Sequence, residues 1–152
     1  VAESQQAQKQ LYETDYNLWV IETVKQLQNR EVEKIDWENL IDEVSDLSRR
    51  EKRRLESLLT RLFEHLLKLK YWDSERERNQ GHWQGEIRNF RIQIQRDLTA
   101  SPSLKRHLSE VFEDCYEDAR KIIIDKTQLF PDYFPSKPIA PLEKVLDKNW
   151  LP

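Results

Sequence analysis

The sequence predicts an all-α protein, a bundle of about five helices with a long or kinked second helix and a Pro-rich C-terminal tail packed on it. Three observations predict it. Apolar residues recur at spacings of three and four, as in Leu55, Leu58, Leu59, Leu62, Leu66 and Leu69, which is what a helix needs to keep one face dry. Two glycines and six prolines are too few for a sheet protein with many tight turns. Charged residues make up 35% of the chain against 38% hydrophobic, the mixture expected of helices with one solvated face. About two thirds of the residues should be helical on this pattern.

At 152 residues a single domain is expected. Residues 1–10 are polar and Gln-rich, which predicts a flexible or weakly helical lead-in to one helical-bundle domain over 11–152. Thr14 or Asp15 can cap the first helix proper, whose Tyr16, Trp19, Val20, Val24 and Leu27 keep helical spacing until Asn29-Arg30-Glu31 ends it.

The stretch from Asp36 to Trp72 reads as the spine. Asp36 can cap its start, and Asp36, Glu38, Asp42, Glu43 and Asp46 crowd the end that the helix dipole favours for acids. Trp37, Leu40, Ile41, Val44 and Leu47 begin the same stripe that the later leucines continue. A continuous helix here would run about 55 Å at 1.5 Å per residue, long for one compact domain, so a kink or break is expected near Ser48.

Asp73 to Gln80 reads as a charged connector. Trp83, Ile87, Phe90, Ile94 and Leu98 then mark a third helix. Ser101-Pro102 signals the start of a fourth, with Leu104, Leu108, Val111, Cys115, Ala119 and Ile122 on one stripe. Pro131, Pro135, Pro138 and Pro141 impose an extended course, and Leu142, Val145 and Leu146 allow one short helix before Trp150. Such a tail should pack on the bundle.

Several classes are disfavoured by composition. The single cysteine forbids an internal disulfide, and the longest apolar run, Leu18 to Ile21, is far short of the ~20 residues of a membrane span. The chain opens on Val1 and contains no methionine, which reads as a trimmed start. A cytoplasmic protein without membrane contact is expected. A net charge of −3 gives no overall pull towards nucleic acid.

The segments Leu11 to Trp19 and Ile35 to Val44, then His65-Leu66-Leu67-Lys68, Trp83 with Ile87, Ser101 to Leu104, Tyr116 to Arg120, Phe134-Pro135 and Leu151-Pro152 form an ordered series. In this series the chain resembles the bacterial family known as domain of unknown function 29, from about Leu11 to the end. The resemblance implies a small all-helical bundle with no established activity. Ser48 stands where that family often has glycine, and Leu69 where it often has tryptophan.

Glu43 and His65 are the sharpest polar pair within these motifs. Being 22 residues apart, they would lie about 33 Å apart on a straight helix, so only a fold-back near Ser48 would let Glu43 accept from the imidazole. Such a pair suits metal binding or acid/base work, or simply pins two helix segments. None of His65, His82 or His107 has a glutamate three residues before it, as a di-iron bundle requires, and no cofactor or metal is expected. Cys115 stands in an apolar stripe, as a small hydrophobe would.

Residues 49–70 hold eight Lys/Arg against three Glu, and 110–118 hold five acids, so the two faces would answer each other. Gly81 and Gly85 flank Trp83 at i, i+4 spacing, which suggests a close backbone approach or an uneven helix start. Trp72 is the tryptophan expected at an exposed contact surface. The functional expectation is a non-enzymatic helical module that binds a protein partner or a second copy of itself. The alternatives are a small metal-binding or acid/base enzyme using Glu43 and His65, and weak nucleic-acid binding through Arg49 to Arg54.

Overall fold

The computed structural model describes residues 2–152. They form α1 (Ala2–Thr14), α2 (Tyr16–Gln28), α3 (Trp37–Tyr71), α4 (Asp73–Ala100), α5 (Leu104–Thr127) and α6 (Leu142–Leu146), with single 3-10 turns at Val32–Lys34 and Pro131–Tyr133. The fold is all-α, with no strand among the described residues. Helix accounts for 82% of the chain, above the two thirds expected; a lead-in expected as flexible or weakly helical and an expected connector are both helical.

From residue 2 onward the lead-in belongs to α1; residue 1 lies outside the described residues. Its polar side chains have specific partners: Gln5 Nε2 donates to the Glu33 carbonyl at 2.8 Å, and buried Gln8 reaches the Thr23 hydroxyl at 3.4 Å. The connector, Asp73 to Gln80, is the first two turns of α4. Arg76 organises that end, donating from Nε to the Leu69 carbonyl at 2.6 Å and from Nη2 to the Lys70 carbonyl at 2.7 Å. It thereby satisfies carbonyls that the end of α3 leaves open. Only Trp72 separates the two helices.

The chain gathers into two compact units, the first ending at Arg50 and the second running from Glu51 to Pro152. Helix α3 contributes to both and runs without interruption through Ser48. The expected break rested on the length limit of a single compact domain. Arginine, lysine and glutamate around Ser48 are good helix formers. Arg49 also pairs with Asp46 at 2.9 Å, one turn back.

In the first unit α1 and α2 meet at Asp15, whose carboxylate accepts from the Leu18 amide at 3.0 Å and caps α2. Arg30 closes the turn after α2 in the left-handed region, at φ 58°. Asp36 precedes α3 and is buried, accepting from Trp19 Nε1 at 3.3 Å and from the Asn39 side-chain amide at 2.6 Å. Trp19 and Ile35 are the buried apolar residues of this unit.

The second unit is a filled three-helix bundle. Arg54 pairs with Asp97, His65 packs on Phe90 and Trp72 on Trp83, so α4 runs antiparallel to α3. Along α5, His107 meets Glu56, Phe112 and Tyr116 meet Phe63, and Lys126 meets Glu64, so α5 runs parallel to α3. Leu55, Leu59, Leu62, Phe63, Leu66 and Leu67 line the interior with no exposure.

Ser101 does not cap α5. Its amide donates to the Asp97 carbonyl at the end of α4, and α5 starts two residues later than expected, at Leu104. The tail packs on the bundle as anticipated, burying Phe134, Leu142 and Val145. Side chains hold its backbone: Arg120 donates to the carbonyls of Phe134 at 3.1 Å and Pro131 at 2.8 Å, and the Tyr116 hydroxyl donates to that of Pro135 at 2.6 Å.

Candidate functional site

Glu43 and His65 have separate surroundings, because α3 makes no fold-back between them. Glu43 accepts the Tyr12 hydroxyl on Oε1 and the Tyr16 hydroxyl on Oε2, each at 2.6 Å. Arg50 Nη2 stands 3.7 Å from the same carboxylate. The two phenol hydrogen bonds hold the Glu43 carboxyl below the usual carboxylate range. The reciprocal effect pushes Tyr12 up to about 12 and raises Tyr16 as well. Tyr12, Tyr16 and Trp19 pack as one aromatic cluster, with Tyr12 edge-on to Trp19 at 4.9 Å between ring centres.

His65 is half-buried and lies 2.8 Å from the Arg61 carbonyl through Nδ1. A carbonyl only accepts, so Nδ1 carries the proton and this backbone group fixes the tautomer. Burial pushes the His65 pKa down, and its ring packs edge-on against Phe90.

Among the described residues no group of three His, Cys, Asp or Glu is placed to hold a metal ion. Cys115 is buried, and its thiol, pushed up in pKa by burial, donates to the Glu56 carbonyl at 3.6 Å. His107 Nε2 lies 3.0 Å from Glu56 Oε1.

The basic run answers acids other than those expected. Arg49 pairs with Asp46, Arg50 with Glu43 and Arg54 with Asp97. Within 110–118, Glu110 pairs with Arg106 and Glu117 with Lys121, on their own helix. Trp72 is not the exposed contact tryptophan; it is half-buried and stacks on Trp83 with ring planes 12° apart, whereas Trp37 is 44% exposed. The apolar stripe of α3 is dry only in its second half: Ile41, Val44 and Leu47 are each close to 60% exposed.

A feature the sequence reading passed over is a cleft of about 950 Å³ between α4 and the C-terminal segment. Gly81 and Gly85 form part of its wall, with nothing within 4 Å of where a Cβ would stand. Their role is therefore open space, in place of the expected backbone approach. Arg88, Arg91 and Arg96 line the cleft from α4, Lys148 faces them from the tail, and no acid is in the lining.

Arg91 is 6% exposed, with Nε donating to the Val145 carbonyl at 2.9 Å and Nη2 without any partner. Burial pushes its pKa down, partly countered by Asp147. One sequence signal pointed here. Ile87, Arg91 and Ile94 are spaced four and three, so Arg91 interrupts an apolar stripe.

The family model for the domain of unknown function DUF29 matches residues 11–151, nearly the whole chain. The chain belongs to the DUF29 family. No curated protein and no solved structure matches this DUF29 chain. Among its described residues no helix is long and apolar enough to cross a membrane.

Proposed function

We propose that this DUF29 chain is a non-enzymatic protein-interaction module, and that its partner docks on the first fifty residues. One observation carries the reading. Of the fifteen large hydrophobic residues exposed in the described chain, ten fall before Arg50, a stretch that buries only Trp19 and Ile35 of its apolar residues. Single exposed apolar residues are ordinary, but Trp37, Ile41 and Val44 follow at four and three along α3 and share one face.

The charge beside that face selects the partner. Exposed Asp42 and Glu38, the latter 3.6 Å from Lys9, stand beside it with no lysine or arginine between residues 36 and 48, while Asp36 is buried, Glu43 is held by Tyr12 and Tyr16, and Asp46 pairs with Arg49. The occupant is an amphipathic helix of another protein with basic residues flanking its apolar stripe. A second copy fits less well. An antiparallel pair centred on Val44 sets acids against acids, and sliding it to bring the acids onto Arg49 to Arg54 puts Ile41 opposite Arg54.

The test uses the full chain with a photo-crosslinker at Trp37, beside the wild type and an Ile41→Asp/Val44→Asp variant. Capture from native lysate that is lost in the variant and weakened by salt supports the reading. Capture unchanged by the variant, or a concentration-dependent dimer abolished by it, overturns the proposed partner. The nucleic-acid alternative is weakened by the ion pairs that engage Arg49, Arg50 and Arg54.

A further inference from the structure

We propose that the cleft between α4 and the tail binds a small amphipathic oxyanion, a carboxylate or phosphate monoester carried on an apolar body. The charge pattern sets the sign of the ligand. Arg88, Arg91, Arg96 and Lys148 line the cleft, and among the described residues none of them pairs with a carboxylate. Surface arginines left unpaired are common, but Arg91 is not at the surface. At 6% exposure it holds a guanidinium whose Nη2 lacks a hydrogen-bond partner. A buried donor on a charged group is costly to leave unmade, and an oxyanion is its natural complement.

The hydrogen bond from Arg91 Nε to the Val145 carbonyl fixes the plane of the fork. A planar fork held in place suits the two oxygens of a carboxylate or phosphate. The space sets the rest of the ligand. Ile87, Ile92, Leu146 and Leu151 give the cleft apolar walls, and its volume of about 950 Å³ exceeds what an inorganic ion needs. Gly81 and Gly85 keep one wall free of side chains.

The experiment is a fluorescence titration of the full chain with anilinonaphthalene sulfonate, an amphipathic anion. Competition follows with dodecanoate, dodecyl phosphate, dodecyltrimethylammonium and inorganic phosphate. Saturable binding displaced by either dodecyl anion is expected, and whichever displaces at lower concentration identifies the head group. Gly85→Phe fills open space without removing a cation, and Arg88→Ala removes a charge at the rim. Each should weaken binding roughly tenfold or more while the circular-dichroism melt shows an intact fold.

Arg91→Lys keeps the charge but loses the fork, and should weaken dodecanoate more than Arg88→Ala does. Equal binding in wild type and Gly85→Phe would overturn the proposal, because the probe would then sit elsewhere. Displacement by the ammonium amphiphile as readily as by the anions, or inorganic phosphate competing as well as dodecyl phosphate, would overturn it too.

Discussion

The Tyr12 hydroxyl donates to Glu43 Oε1 across 31 residues of sequence at 2.6 Å, tying α1 to the first turns of α3. With Tyr16 on the other oxygen, both acceptor atoms of that carboxylate are taken by phenols. Removing either phenol leaves an anion short of a donor in a unit with little apolar core. Tyr12→Phe and Tyr16→Phe should each destabilise the packing of α1 by about 1 kcal/mol, discounted for partial exposure. Native-state hydrogen exchange reads this directly: α1 amides should lose protection while the interior of the second unit keeps its own.

The same cluster makes the first unit sensitive to pH at both ends. Glu43 has a folded pKa below its unfolded value, so its contribution is present above about 4.3 and is lost as pH falls through the folded pKa. Tyr12 has a raised folded pKa of about 12. Its contribution is complete below the unfolded value near 10 and is lost as pH rises towards the folded one. Chemical-shift titration of α1 should show loosening in both windows, and Glu43→Gln should remove the acid one.

Phe63 has no exposure and is packed by Phe112 and Tyr116, with ring centres 5.2 and 5.1 Å away. Truncation to alanine empties a site that three helices cannot readily refill. Phe63→Ala should cost about 3–5 kcal/mol in denaturant unfolding of the second unit. Ile41→Ala, on the exposed half of α3, should change stability by less than about 0.5 kcal/mol.

Gly81 and Gly85 lie in the interior of α4 with open space at the Cβ position. Alanine at either site meets no neighbour and restricts the unfolded chain. Each Gly→Ala change should raise stability by about 0.5–1 kcal/mol, measured as an upward shift of the thermal midpoint.

Cys115 is buried with its thiol pKa pushed up by burial, so little thiolate forms near neutral pH. A disulfide-exchange reagent should label it slowly in the native protein and immediately in denaturant. Fast native labelling would contradict its place among the packed residues of α5.

The helical periodicity was legible because burial repeats with the helix turn. Leu55 to Leu69, Ile87 and Leu108 lie where their spacing puts them, and Asp15 and Asp36 stand at the helix starts where they were expected. What escaped were properties that depend on a neighbour. The stripe from Trp37 to Leu47 has the same period as the buried leucines, and no count along one helix says whether another covers it. The helical Asp73 to Gln80 stretch carries its signal in Arg76, a side chain reaching back to carbonyls of the preceding helix. Glu43 was singled out as a polar residue of interest, but its phenol partners come from 31 and 27 residues upstream. The cleft needed the tail's course across α4, and proline spacing does not fix that.

One wall of that cleft is made by Leu146, Lys148 and Leu151, which leave the ribosome after all three long helices of the second unit have been synthesised. A chain cut short before Leu146 would lose that wall, and with it the enclosure of the Arg91 guanidinium.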